Sequence, residues 1–108
     1  MAEPRGCVVR VFFASRMVTG RAATRDEIRA VRAQIASSSK VRTYAFVSKE
    51  LGLERMAKKQ PGLTQDLPGN PLPESFEIVP RSSDDARALA SELRSGRGVE
   101  HVGVARAC

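Results

Sequence analysis

The sequence is poor in the residues that most often carry catalysis, metal binding and aromatic packing. Its 108 residues include no tryptophan, one tyrosine, one histidine and two cysteines. The core must therefore be mainly aliphatic, and a zinc site built from one histidine and two distant cysteines would be incomplete. No apolar run is long enough to span a bilayer, and no secretory signal pattern is visible near the N-terminus.

Motifs for chemistry are also scarce. No glycine-rich phosphate loop is present, because the Gly-x-Gly at 96–98 follows a predicted helix, where glycine usually ends the helix. The acidic pairs at 26–27 and 84–85 fall at predicted helix starts, where capping explains them. His101 lies in a predicted strand, and the adjacent Glu100 would point to the opposite face. No converging catalytic groups are apparent, so we expect a non-enzymatic protein without a metal or cofactor.

The charge balance is basic, with 18 lysines and arginines against 12 acidic residues and a formal net charge of +6. The basic residues are spread along the chain, which is typical of a solvated surface. The alternative is an anionic partner such as nucleic acid, lipid head groups or a cell-wall polymer. The chain has the length of one domain, and 42% of its residues are apolar, which suffices for a modest core.

The hydrophobic pattern predicts an alternation of strands and helices. Strands are expected in four segments that are β-branched or alternate polar with apolar residues: 7–13, 41–47, 75–79 and 99–107. Helices are expected in three segments that follow a capping residue: about 25–36, 49–59 and 83–95. Residues 14–23 are expected to form a loop.

This order of elements predicts an α+β fold. When the segment at about 48–73 is set aside, a βαβ–βαβ order remains, which is the ferredoxin-like split βαβ sandwich with a small helical lobe inserted before the third strand. Residues 7–108 should form this single domain, and residues 1–6 should be a disordered tail or a cloning remnant. The expected core includes apolar residues of both helices and strands: Phe12, Ile28, Val31, Phe76, Ile78 and Leu89.

The segment 70–79 marks the point where the insert ends and the sheet resumes. Pro71 and Pro73 remove two backbone donors and favour an extended chain. The residues that follow alternate, with Phe76 and Ile78 on one face. A rigid lead-in is therefore expected to set the angle at which the insert is held.

The two cysteines lie almost at the ends of the chain, at positions 7 and 108. In a ferredoxin-like sheet the first and last strands are antiparallel neighbours, so the start of one lies beside the end of the other. A disulfide between Cys7 and Cys108 is geometrically plausible and would imply an oxidising compartment. Two free thiols are the other interpretation.

Three segments carry a family resemblance: the first strand at 8–13, the strand, Ser-Lys-Glu and helix at 44–56, and the Asn-Pro-Leu-Pro-x-Ser-Phe sequence at 70–76. In content and spacing they resemble the extracytoplasmic domain of FtsX, the permease-like membrane subunit of the bacterial cell-division complex FtsEX. The resemblance covers about residues 7–105. Gly52 departs from it, because the family often has alanine there.

The resemblance implies a non-enzymatic regulatory domain on the extracytoplasmic face of the bacterial cell membrane. The sequence is then either a fragment excised from a longer membrane protein or a soluble relative. In that family the cytoplasmic ATPase subunit FtsE drives a change in the membrane part. The outer domain passes this change to a peptidoglycan hydrolase or its activator. We therefore expect such a partner and no nucleic acid. The alternative is a basic ferredoxin-like nucleic-acid-binding domain, since RNA-binding domains share this element order.

Apolar residues of the insert are the candidates for the partner surface. A short segment cannot bury so many leucines on itself, exposed apolar patches mark partner surfaces, and leucine and methionine suit a groove for a partner helix. The same side chains could instead pack the helix onto its own sheet, and the apolar pair at 17–18 could simply anchor its loop. The candidate partner-binding residues are Met17, Val18, Leu51, Leu53, Met56, Leu63, Leu67 and Leu72.

Overall fold

A computed structural model describes residues 6–63, 69–70 and 72–108 of the chain. The strands are β1 (Val9–Phe13), β2 (Val41–Val47), β3 (Ser75–Pro80) and β4 (Val99–Val104). The helices are α1 (Arg16–Thr19), α2 (Arg25–Ala36), α3 (Lys49–Lys59) and α4 (Ser83–Leu93), and a 3₁₀ turn spans Pro61–Leu63. The expected tail lies outside the described residues except for Gly6, and the expected loop at 14–23 contains the short helix α1.

The four strands form one sheet in the order β2-β3-β1-β4, and all neighbouring strands are antiparallel. β3 therefore lies between the two parallel strands of the first βαβ unit, as the split βαβ arrangement requires. Val11, at the middle of β1, faces Phe76 on β3 and Val102 on β4. The predicted α+β fold is confirmed, and its strand order is that of the ferredoxin-like sandwich.

One core lies between the sheet and the helices α2 and α4. The helices contribute apolar residues at spacings of three and four, which place them on one face of each helix. The sheet contributes alternate residues of its strands. The buried members of this core include Val9, Val11, Phe13, Ile28, Val31, Ile35, Phe76, Ile78, Ala86, Leu89, Leu93 and Val102.

Side-chain caps begin the three longer helices. Thr24 and Glu27 form a reciprocal capping box at the start of α2. Ser48 caps α3, and Ser82 caps α4, each by accepting a hydrogen bond from a backbone amide three residues later. Each cap stabilises its helix by about 1 kcal/mol, so the chain specifies these starts locally.

Phe12, expected in the core, lies on the other face of the sheet. It alternates with Val11 and Phe13, which are buried against the helices, and so points away from α2 and α4. Phe12 is half-buried and stacks on His101 of β4, with the ring centroids 6.1 Å apart. A strand that is apolar on both faces indicates cover on both faces, and here α3 supplies part of the second cover.

The ends of the chain meet beside β1 and β4. Cys7 and Cys108 are joined by a disulfide, and Cys7 is 2% exposed. The Ala105 amide donates a hydrogen bond to the Val8 carbonyl at 3.0 Å, which extends the pairing of β1 with β4 toward the cysteines. Of the two interpretations left open by the sequence, the structure adopts the disulfide.

A candidate docking surface on the outer face of the sheet

The face of the sheet turned away from α2 and α4 is called the outer face below. Cross-strand register aligns Val47, Ser75, Phe12 and His101 in one row across all four strands. A groove of about 230 Å³, here the outer-face groove, opens between this row and α3. Its lining residues are Arg10, Phe12, Val47, Gly52, Arg55, Met56, Leu72, Pro73, Ser75 and Glu77.

Hydrogen bonds hold the first turn of α3 against the segment that leads into β3. The Ser48 hydroxyl oxygen accepts from the Leu51 amide at 3.0 Å. Asn70 Nδ2 donates to the Lys49 carbonyl at 2.7 Å, and Asn70 Oδ1 accepts from the Leu72 amide at 3.1 Å. One asparagine side chain therefore connects the first turn of α3 to the segment that leads into β3.

Gly52 lies where Leu72 approaches α3. A methyl group placed on Gly52 would lie 3.4 Å from Leu72 Cδ1. That distance is an ordinary van der Waals contact, so the position does not require glycine. Leu72 and Met56 are both half-buried and both line the outer-face groove, which gives this part of the groove an apolar wall.

Glu77 places a charge at the opposite wall. Its carboxylate accepts from Arg55 Nη1 at 2.7 Å and from Arg10 Nε at 3.3 Å, so it links β3 to both α3 and β1. The hydrogen bond from Arg55 is the main cause that lowers the pKa of Glu77, and the positive charges of Arg55 and Arg10 lower it further against the effect of burial. The carboxylate is therefore kept ionised between two guanidinium groups.

The expected partner residues fall into three groups. Met17 and Val18 lie on α1 and are 57% and 69% exposed. Met56 and Leu72 meet in the outer-face groove, whereas Leu51 and Leu53 are half-buried on α3 and are not part of its lining. Leu67 and the side chain of Leu63 lie outside the described residues.

Helix α1 borders the end of the insert. A methyl group placed on Gly69 would lie 4.0 Å from Met17 Sδ. None of the residues of α1 is buried, although Met17 and Val18 are large and apolar. The two exposed side chains therefore form an apolar patch next to the segment that leads to Leu72.

Sequence reasoning missed several residues of this surface. Phe12 and Val47 line the outer-face groove, whereas the sequence predicts Phe12 in the core and Val47 in no site. The bridge from Glu77 to Arg10 and Arg55 joins positions far apart in the chain. The available signal was the first strand, which is apolar on both faces except at Arg10 and so needs cover on both.

The described residues give no sign of a metal centre or of a membrane span. No group of three histidine, cysteine or acidic side chains in the described ranges is arranged to hold a metal ion. No helix there has both the length and the apolar character needed to cross a bilayer.

Among the solved structures that resemble this chain are two of FtsX extracellular regions. One is the crystal structure of extracellular domain 1 of FtsX from Streptococcus pneumoniae in complex with undecyl-maltoside, with 18% identity, a TM-score of 0.70, and coverage of 95% of this chain and 97% of that chain. The other is the solution structure of the large extracellular loop of FtsX in Streptococcus pneumoniae, with 18% identity, a TM-score of 0.67, and coverage of 91% and 98%. At this identity the likeness establishes the fold.

The sequence itself provides the assignment to a family. No curated protein matches the chain. The family model described as the FtsX extracellular domain matches residues 7–107, which is almost the entire sequence. The protein therefore belongs to the FtsX extracellular domain family, that is, to the extracellular domains of a cell-division protein.

Proposed function

We propose that this domain is a non-enzymatic docking module, which binds and activates a peptidoglycan hydrolase or its adaptor on the extracytoplasmic face of the cell membrane during septation. The cytoplasmic ATPase subunit FtsE would act on it through the membrane part of the parent protein. The outer-face groove and the apolar patch on α1 are the proposed contact surface.

The exposure of Met17 and Val18 is the main support for this function. They are 57% and 69% exposed on a helix without any buried residue, so they contribute little to the core. Large apolar side chains that stand together in solvent are typical of partner surfaces. Their position beside Gly69 places them next to the insert, where a partner could contact both.

The outer-face groove suits one anchoring side chain of a partner. Its volume of about 230 Å³ is too small for a helix but large enough for an apolar side chain between Met56, Leu72 and Phe12. The similar Streptococcus pneumoniae domain was crystallised in complex with undecyl-maltoside, a molecule that carries an alkyl chain. An amphipathic partner helix that inserts one such residue would also cover the patch on α1.

The proposal is tested with the paired variant Met17→Glu and Val18→Glu. Because both side chains are exposed, we expect the free energy of unfolding to change by no more than about 0.5 kcal/mol. Binding of the peptidoglycan hydrolases of the same bacterium, measured by isothermal titration, should be lost. A second, independent variant is Met56→Glu, which should also abolish hydrolase binding with little loss of thermal stability.

A matched control is Ala30→Glu, an exposed position on α2 away from the outer face. It should bind the hydrolase as the unaltered domain does. Unchanged binding in the paired variant would contradict the α1 patch as a contact surface. If Met56→Glu unfolds the domain, Met56 serves the packing of α3 instead of partner contact.

The pairing of many basic side chains argues against the nucleic-acid alternative over much of the surface. Within the described ranges, seven basic side chains pair with carboxylates: Arg10, Arg21, Arg25, Arg29, Lys40, Arg55 and Arg87. Local pairing reduces the positive field that phosphate binding needs. Filter binding with a salt titration separates the two functions, because phosphate contacts produce a steep loss of affinity with salt.

A further inference from the structure

A second groove lies where α2 overhangs the edge of the sheet at β2, here the edge groove. Its volume is about 510 Å³, and its walls are Arg25, Arg29 and Arg32 from α2 and Tyr44, Ala45 and Phe46 from β2. Phe46 is paired with the core residue Phe76 in the sheet, so the edge groove is on the helix-covered face. It is therefore separate from the outer-face groove.

The three arginines form a cationic stripe along α2. Their spacings of four and three residues place them on one side of the helix. Arg25 is paired with Glu74, and Arg29 with the exposed Asp26, at 3.3 Å between Nη1 and Oδ1. Arg32 has no hydrogen bond or carboxylate partner among the described residues, and exposed pairs such as Arg29 with Asp26 are weak.

The floor of the edge groove is aromatic. Phe46 is 41% exposed and packs edge-to-face on Phe76, with ring centroids 5.4 Å apart. Tyr44 packs on the same ring at 6.1 Å. One side of Phe46 thus rests on the core, while the other side is open beside the arginines and can receive an apolar or aromatic group.

The strand that carries Phe46 is an edge strand. β2 comes first in the strand order and, in the described part of the chain, pairs only with β3. Alternate residues of such a strand direct unpaired N–H and C=O groups outward. β2 contains no proline, and its pairing with β3 is regular from Thr43 to Val47, so this stretch offers a template for another strand.

We infer that β2 and α2 form a docking site for an extended acidic segment of a partner protein, which adds a strand beside β2. Backbone hydrogen bonds to β2 would supply affinity, and side chains at alternate positions would face the edge groove. Arg29 and Arg32 are about 4.5 Å apart along the helix axis at about 1.5 Å per residue. Alternate residues of a strand are separated by about 6.7 Å, a difference that long arginine side chains can span, so two acidic side chains can meet these two arginines.

The site is independent of the hydrolase surface proposed above. Its probe is a seven-residue peptide with glutamate at three alternate positions, tyrosine at the fourth and threonine between them. Binding is followed by fluorescence anisotropy and by backbone amide shifts of the isotopically labelled domain. We expect a Kd below about 1 mM, shifts concentrated in β2 and α2, and at least about tenfold weaker binding by Arg32→Glu.

Two altered peptides and two control variants complete the test. Lysine in place of glutamate, or methyl groups on alternate peptide amides, should abolish binding. Arg106→Glu makes the same charge change beyond β4, at the opposite edge of the sheet, and should weaken binding by less than about twofold. The paired Met17→Glu and Val18→Glu variant should bind the peptide normally, which separates this site from the hydrolase surface.

Other outcomes would overturn the inference. Full binding of the methylated peptide would exclude an added strand. An equal loss of peptide affinity in Arg32→Glu and Arg106→Glu would show that net charge, and not the edge groove, accounts for the binding. No peptide binding below about 1 mM, together with binding of phosphatidylglycerol vesicles that depends on Arg32, would assign the edge groove to lipid head groups instead.

Discussion

At the scale of single residues, Glu77 links three elements on the outer face, because it pairs with Arg10 of β1 and Arg55 of α3. Its side chain is 26% exposed, whereas those of Arg10 and Arg55 are 46% and 52% exposed. The pKa of Glu77 is lowered chiefly by the hydrogen bond from Arg55, so the ionised form stabilises the folded domain. The ionised carboxylate of Glu77 on β3 therefore helps to hold α3 against the sheet through Arg55.

The first prediction concerns the pH dependence of this bridge. The ordinary pKa of glutamate is 4.5, and the folded pKa of Glu77 is lower. Its stabilisation is therefore complete above the ordinary pKa and is lost as the pH falls through the folded pKa. We expect Glu77→Gln to lower the free energy of unfolding at pH 7 by about 1 kcal/mol, and to differ less from the unaltered domain at pH 3.

Urea unfolding at both pH values measures this difference. Glu54→Gln is a matched control, because Glu54 is exposed on α3 and makes no ion pair among the described residues. It should change stability little at either pH. A deficit of Glu77→Gln that is the same at pH 7 and pH 3 would mean that packing, and not charge, accounts for the role of Glu77.

At the scale of elements, the helices divide into two kinds. α2 and α4 bury apolar faces against the sheet, whereas α1 and α3 have no buried residue. α3 is held instead by its cap, by Asn70 and by the ion pair of Arg55. Elements with few buried contacts open at a lower free energy than the core, so α1 and α3 are suited to adjust to a partner.

A second prediction uses the glycine inside α3. Gly52→Ala should raise the free energy of unfolding by up to about 1 kcal/mol, because alanine has the higher helix propensity. The new methyl group would contact Leu72 Cδ1 at 3.4 Å without a clash. Thermal unfolding and hydrogen exchange of the α3 amides measure the gain.

Gly98→Ala should change the free energy of unfolding in the opposite direction. Gly98 has a φ of +84°, and a methyl group there would lie 3.0 Å from Ala23 Cβ, so this variant should be less stable. A loss of stability in Gly52→Ala would show instead that Leu72 cannot tolerate the added methyl group.

At the scale of the whole molecule, the sheet brings the chain ends together. β1 and β4 are antiparallel neighbours, so Cys7 precedes one strand where Cys108 follows the other. The disulfide closes a loop with a sequence separation of 101 residues. In the chain-entropy treatment, closing a loop of about 100 residues stabilises the folded state by about 4.7 kcal/mol at 25 °C.

A third prediction follows for the double variant Cys7→Ser and Cys108→Ser. Its free energy of unfolding should be lower by about 2–5 kcal/mol, because the unfolded chain regains the entropy that the disulfide removes. Chemical unfolding with and without a reductant measures the effect. The reductant should destabilise the unaltered domain and leave the double variant unchanged.

Thiol titration of the native, unreduced protein is the independent check. We expect no reactive thiol among the two cysteines. Two reactive thiols would contradict the disulfide, and equal stability of the double variant would contradict its contribution.

The fold could be predicted well because its signals are local. The capping box of Thr24 and Glu27 specifies where α2 begins, and the alternation around Phe76 and Ile78 specifies β3 and its buried face. The error at Phe12 has a physical cause. Periodicity shows that a strand is apolar on both faces, but it does not tell which face meets which element.

The candidate site could be predicted only in part. The sequence predicts Met56 and Leu72 as partner-binding residues. Both line the outer-face groove, and their role in binding stays a prediction. Their partners Phe12 and Val47 come from strands far away in the sequence, and neither lies in the insert. The cationic stripe of α2 and the exposed Phe46 were not recognised as a pair, because only the strand order places β2 at the edge beside α2.

The sequence by itself determined the helices and strands, because propensity, capping and periodicity act over a few neighbouring residues. It also determined the family and the scarcity of residues that could carry catalysis or bind a metal. Only the tertiary structure decided which faces remain open. The bridge among Arg10, Arg55 and Glu77 and the two grooves depend on strand register and helix placement. These bring distant positions within a few ångströms, and non-local contacts of that kind leave no periodic trace along the chain.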